Sequence, residues 1–271
     1  MKLALAQFEI EGGRPSANRQ RARELVREAA DRGCDLVALP EIFNVGYFAF
    51  DSYSREAEPL DGETITELQD LAAELGVSIC AGSIVEDLAA SAARGFETPE
   101  RDGYANTSVY IDASGDRRGV YRKRHLFGYE SAEQELLTAG ESLTVVEELG
   151  FAVGMTTCYD LRFPQLYRRL VDAGATLVLV PSAWPYPRVE HWQLLPRARA
   201  VENLLYVGAV NGIGEFEDAS LLGRSAVYDP WGTPVASAGE RERLVVADID
   251  PERVERRRGE FPALEDRLSH R

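Results

Sequence analysis

The chain has 271 residues, 45% of them hydrophobic, with 3 Trp, 11 Tyr and 10 Phe; this is enough apolar material for a large core and excludes a disordered polymer. A formal net charge of −15 and a pI near 4.8 argue against nucleic acid or an anionic membrane as a partner. The acidic excess is spread along the chain, and of the 30 lysines and arginines only Lys2 and Lys123 are lysine. Such a surface suits a salt-adapted protein, although a GC-rich coding sequence would also exchange Lys for Arg.

Strands and helices alternate. Lys2 to Ile10 reads as a strand that starts at once, which predicts neither a signal peptide nor a membrane span. Pro15 and Ser16 open an amphipathic helix over 16–32. Asp35 to Pro40 is a continuously apolar strand of the kind covered on both faces. Glu63 to Leu75 is a helix closed by Gly76, and Val77–Val85 and Tyr104–Ile111 are strands. Residues 86–103 are polar and read as an irregular surface excursion. Ser114-Gly115-Asp116 turns into a strand over 117–121.

The second half repeats the logic. Strands are predicted at 151–157, 176–180 and 205–210, and helices at 164–173 and 190–203. Further strands follow at 225–228, 234–237 and 243–249, and a charged segment begins at Pro251. Asp31-Arg-Gly-Cys-Asp-Leu-Val-Ala-Leu-Pro40 echoes Asp172-Ala-Gly-Ala-Thr-Leu-Val-Leu-Val-Pro181. Two matching strand–helix units would give this echo, and so would any helix-to-strand turn in an α/β protein. No linker-like composition divides the chain, so a single domain over 1–271 is expected.

Three chemically distinctive residues fall just past predicted strand ends, where ligand sites gather in α/β folds. Glu41 follows Asp-Leu-Val-Ala-Leu-Pro. Lys123 lies in Tyr121-Arg-Lys-Arg-His-Leu-Phe127; a lysine retained amid arginines offers a compact ammonium on a flexible stem, unlike the planar guanidinium fork. Cys158 sits at a strand-to-helix elbow, where backbone N–H groups can face an oxyanion. Cys34 and Cys80 read as buried structural thiols. Three widely spaced cysteines make no disulfide framework and suggest a reducing cytosol.

A catalytic thiol needs a base. His125 shares a strand face with Lys123 and could serve, or be purely structural; His191 opens a helix and His270 lies in the tail. No metal-ligand spacing joins these His and Cys residues, so neither zinc nor any other cofactor is expected. A Cys–Glu–Lys arrangement remains.

The blocks Leu39-Pro-Glu41, Tyr121 to Phe127 and Cys158-Tyr-Asp-Leu-Arg-Phe-Pro164, in that order, resemble the signature blocks of the nitrilase superfamily of carbon–nitrogen hydrolases, as do Arg197 to Asn203 and Gly223-Arg-Ser225 with Asp229 to Gly232. The resemblance implies a four-layer αββα sandwich that dimerises or forms a higher homo-oligomer; the cytoplasmic location is expected from the cysteine usage. The resemblance also implies that Glu41 is general base and acid, that Cys158 attacks an amide carbon to form a thioester and release ammonia, and that Lys123 and the Tyr159 N–H hold the oxyanion. A second glutamate is expected before the Gly140-Glu-Ser142 turn. Glu133 falls at the matching place, with Glu130 and Glu135 as rivals. The helix block is assigned to ion pairing with Glu202 and dimer contacts, and Asp160 with Arg162 to bracing the elbow.

Ser182-Ala-Trp-Pro-Tyr-Pro-Arg188, with Arg199 to Asn203 and Val210 to Gly214, resembles the ω-amidase branch, which hydrolyses the terminal amide of dicarboxylate monoamides such as 2-oxoglutaramate. Ser182-Ala183 and Gly212 depart from that branch, where Ala-Asn and Arg are usual. Arg188 is the candidate cation for the substrate carboxylate, and Tyr47, Phe127 and Trp184 the candidate pocket walls. The alternatives are an N-carbamoyl amidohydrolase, a non-catalytic binding subunit on the same fold, and a cysteine redox protein, the last disfavoured by the lack of a second nearby Cys.

Overall fold

A computed structural model describes residues 1–129, 131–217 and 219–267. In chain order the elements are β1 (Lys2–Gln7), α1 (Pro15–Asp31), β2 (Leu36–Ala38), α2 (Tyr53–Glu56), α3 (Glu63–Leu75), β3 (Ser78–Asp87), α4 (Leu88–Ala93), β4 (Tyr104–Ile111), β5 (Arg117–Arg122), α5 (Glu133–Leu136), β6 (Val145–Glu148) and β7 (Phe151–Met155). A 3₁₀ turn over Cys158–Arg162 leads to α6 (Pro164–Asp172), β8 (Leu177–Ser182), α7 (Val189–Asn203), β9 (Tyr206–Asn211), β10 (Ile213–Glu215), β11 (Ser220–Leu222), β12 (Ala226–Tyr228), β13 (Pro234–Ser237), β14 (Arg243–Asp248) and α8 (Pro251–Glu260).

Two six-stranded sheets form, ordered β14-β1-β2-β3-β4-β5 and β13-β12-β9-β8-β7-β6. Side chains alternate across each strand, so the central strands feed two cores at once. Leu3, Leu5, Leu36 and Ala38 of the first sheet meet Val153, Leu177, Leu179 and Tyr206 of the second in the inter-sheet core. Ala4, Ala6 and Val37 face α1 and α3 instead, while Val178, Val180 and Val207 face α6 and α7. The result is the expected four-layer αββα stack.

The sequence echo has a structural counterpart. β2 runs parallel between β1 and β3, and β8 runs parallel between β7 and β9. Each echo segment is thus the middle parallel strand of its sheet, entered through a left-handed glycine, Gly33 or Gly174. Their ends meet: the Glu41 N–H donates to the Ser182 carbonyl at 3.4 Å.

Several expectations need correcting. The first strand stops at Gln7 and not Ile10, and the strand before the elbow stops at Met155. Residues 86–103 are more ordered than polarity suggested: β3 continues to Asp87, whose carboxylate accepts from Ala90 N at 2.9 Å and caps α4. The segment after Pro251 is a helix. The strands β6, β10 and β11 were not expected at all. His270 lies outside the described residues.

Candidate active site

The site lies where the carboxyl ends of β2 and β8 face each other. Glu41 leaves β2 beside Gly82, where the ladder between β3 and β4 shifts register and β3 approaches the Leu39-Pro40 backbone closely. Ile42 follows in a left-handed conformation, its N–H held by Ser83 Oγ at 2.7 Å. Lys123 directly follows β5 and donates its N–H to the Asn106 carbonyl at 2.9 Å, so the two side chains are cross-strand neighbours. Gly140 N donates to the Lys123 carbonyl at 2.9 Å and fixes that backbone from the other side.

Cys158 also has positive φ, 45°, at the first residue of the 3₁₀ turn. Left-handed backbone at a non-glycine residue is strained and persists where surroundings impose it. Here Asp160 imposes it. Its Oδ2 accepts from Thr157 N at 2.9 Å and Tyr121 OH at 2.6 Å, and its Oδ1 accepts from His125 N at 3.1 Å and contacts His125 Nδ1 at 2.6 Å. Asp160 therefore ties the elbow to the segment that carries Lys123. His125, stacked on Phe163 at 3.7 Å, is a partner of Asp160. Arg162 does not pair with Asp160 as expected: its Nη2 lies 3.0 Å from His191 Nδ1, and its guanidinium faces the cleft over the Trp184 ring at 5.2 Å.

Lys123 Nζ sits between two carboxylates, 2.8 Å from Glu41 Oε1 and 2.8 and 3.0 Å from the two Glu133 oxygens. All three residues are at most 1% exposed. Ala183 N donates to Glu41 Oε2 at 2.8 Å, and Tyr47 OH and Phe127 N donate to Glu133 Oε2 at 3.0 and 2.6 Å. Of the rival acids, Glu135 is exposed and Glu130 lies outside the described residues. Sequence reasoning missed Asn106, whose Nδ2 donates to Glu41 Oε1 at 2.8 Å and Glu133 Oε1 at 3.2 Å. A strand asparagine carries no local signal of such a role.

The electrostatics follow from burial and these contacts. Burial works to discharge Lys123, but Glu133 and Glu41 outweigh it and hold the ammonium well above its ordinary range. Burial pushes the Glu41 carboxyl up; Lys123 opposes the shift and Glu133 adds to it. Loss of water and the nearby Glu41 charge push the Cys158 thiol well up, against the pull of Lys123. The resting thiol is neutral, and its nearest base is a carboxylate made more basic than usual.

Above Cys158 opens a narrow cleft lined by Tyr47, Phe127, Tyr159, Trp184, Arg162 and Arg188 among others. Every pocket residue expected from the sequence reaches it. Arg188 stacks over Phe127 at 5.5 Å. Neither cleft arginine has an acidic partner among the described residues. Those residues contain no cluster of His, Cys, Asp and Glu arranged to hold a metal, and no helix long and apolar enough to cross a membrane.

Comparison with known proteins gives a consistent picture. A family model described as carbon–nitrogen hydrolase matches residues 2–258. The 2-oxoglutaramate amidase of Paenarthrobacter nicotinovorans is 37% identical over 237 residues, covering 86% of this chain and 78% of its own length. The omega-amidase NIT2 of Xenopus tropicalis is 34% identical, covering 98% of this chain and 94% of its own. The crystal structure of Saccharomyces cerevisiae Nit3, a member of branch 10 of the nitrilase superfamily, superposes with a TM-score of 0.85 at 32% identity, over 97% of this chain and 94% of that one.

Proposed function

The chain belongs to the carbon–nitrogen hydrolase family, and we propose that it hydrolyses the terminal amide of a short dicarboxylate monoamide such as 2-oxoglutaramate through a Cys158 thioester. The observation that carries this reading is Lys123 Nζ, clamped by Glu41 and Glu133 beside a thiol at the floor of a cleft with two arginines on its wall.

Glu41 takes the Cys158 proton as the sulfur attacks the amide carbon. Lys123 Nζ has three hydrogens; one serves Glu41, one is shared by the Glu133 oxygens, and the third is left for the oxyanion, with the Tyr159 N–H as second donor. Collapse of the tetrahedral adduct expels the amine, protonated by Glu41, as ammonia. Glu41 then deprotonates a water that attacks the thioester, and the carboxylate product leaves as the thiol regains its proton. Glu133 positions Lys123. Tyr47, Phe127 and Trp184 exclude water from the acyl chain, and Arg188 holds the distal carboxylate.

The test is ammonia release from 2-oxoglutaramate, from the matching amide without the carboxylate, and from an N-carbamoyl amino acid. We expect 2-oxoglutaramate to be preferred over the uncharged amide by about 10²-fold in kcat/KM, a preference that Arg188→Ala removes mainly through KM. Alkylation of the thiol should abolish release, and substrate should protect. Release that survives complete alkylation would sink the thiol mechanism, and preference for the carbamoyl compound would favour that alternative.

Leu194 and Val201, two turns apart on α7, are exposed apolar residues, as are Trp231 and Phe261, whose ring centroids lie 5.8 Å apart; these groups support a homodimer. The excess of acid and arginine supports salt adaptation in a cytoplasm. Sedimentation and melting across KCl concentrations check both: a monomer at every concentration, or full stability in dilute buffer, removes the corresponding part.

A further inference from the structure

Asn106 belongs to no part of the mechanism above, yet it touches both of its glutamates. Its Nδ2 and Lys123 Nζ each contact Glu41 Oε1 and Glu133 Oε1, closing a four-atom ring with edges of 2.8, 2.8, 2.8 and 3.2 Å. The residue is fully buried, and its Oδ1 has no hydrogen-bond partner among the described residues. Reversing the amide would aim Oδ1 at two carboxylate oxygens, so the orientation is set by its surroundings. An asparagine that leaves a buried carbonyl unsatisfied while both amide hydrogens are used is retained for its N–H₂ group.

We propose that Asn106 is a positioning residue for amide hydrolysis, whose amide N–H₂ holds Glu41 and Glu133 together around Lys123 and favours the ionised, proton-accepting form of Glu41. This rests on the catalytic reading above. The charged and titratable groups facing Glu41 are Lys123 after β5, Glu133 at the start of α5, Cys158 after β7, Tyr47 after β2 and, farther off, Tyr53 at the start of α2. Without Asn106, Lys123 is the only donor among the described residues that the two carboxylates share. Glu41 then loses a hydrogen bond to its charged form, and protonation becomes easier.

The experiment measures kcat and KM on 2-oxoglutaramate, and the rate of Cys158 alkylation by iodoacetamide, both against pH, for wild type, Asn106→Leu and Asn106→Asp. Alkylation needs no turnover, so a wrong substrate assignment leaves the inference testable; a wild-type protein whose thiol is alkylated but which releases no ammonia refutes only the substrate. In wild type the acid limb should lie above the ordinary glutamate value of 4.5, because Glu41 must be ionised to act and its pKa is raised. In Asn106→Leu, kcat should fall about 10²-fold with little change in KM. Both acid limbs should move up by about one pH unit. Asn106→Asp, although isosteric, should be worse, because it adds a third carboxylate. Unshifted limbs in Asn106→Leu, or an Asn106→Asp more active than Asn106→Leu, would overturn the inference. If either variant fails to fold, Asn106→Ser is read on the same two limbs.

Discussion

Lys123→Arg will lower kcat by about 10³-fold or more while the protein stays folded. The substitution keeps the positive charge, so both buried carboxylates remain compensated. What changes is geometry. The ammonium is a compact donor with three hydrogens at one point, and two of them are committed to Glu41 and Glu133. Its stem lies in a site only 1% exposed, with the Tyr47 ring centroid 5.1 Å from Nζ. A longer, planar guanidinium cannot occupy that point and send a third hydrogen to the oxyanion. Lys123→Ala would be less informative, because two buried, uncompensated carboxylates would cost about 3–5 kcal/mol and unfold the site. The measurement is single-turnover ammonia release alongside a thermal melt. Wild-type turnover in Lys123→Arg would refute the role given to Nζ.

Gly82→Ala should be the most damaging single methyl group in the molecule. An added Cβ would lie 1.9 Å from the Leu39 carbonyl oxygen and 2.1 Å from that of Pro40. Both are backbone atoms, so no rotamer change relieves the clash; overpacking of this kind costs roughly 3 kcal/mol or more. The strand must move away from the two residues that precede Glu41. A displacement of about 1 Å at a catalytic group costs about 10²-fold in rate, so stability and kcat should fall together. Gly76→Ala is the control. Gly76 has a left-handed φ of 65° but nothing within 4 Å of a new Cβ, so it should lose only about 1 kcal/mol and no activity. Urea melts of the two variants give the comparison, and equal losses would show that the β3 approach does not hold Glu41.

How far the sequence carried these conclusions varied with the range of the physics involved. Local signals did well: α3 ends at Leu75 before a left-handed Gly76, and β4 spans Tyr104–Ile111, both as expected. β6 escaped because Val-Val-Glu-Glu is an edge strand, formed only by pairing with β7. The β10–β11 hairpin escaped because each strand has three residues. At the site, Glu41, Lys123 and Cys158 stood out by residue type at strand ends, but Glu133 rested on the resemblance alone. The contacts of Arg162 were misjudged because sequence proximity to Asp160 was taken for pairing, while the elbow turns that side chain toward the cleft. Asn106 was invisible, since its meaning lies in partners 65 and 27 positions away.

The first sheet is completed by a strand from far along the chain: β14 pairs with β1 in antiparallel register, Lys2 opposite Asp248. During synthesis, then, β1 waits with an open edge until β14 has emerged. Unpaired strand edges recruit other strands. The interval between synthesis of β1 and of β14 is therefore the stage at which this fold most needs chaperone cover, because its first sheet is completed only once β14 has left the exit tunnel.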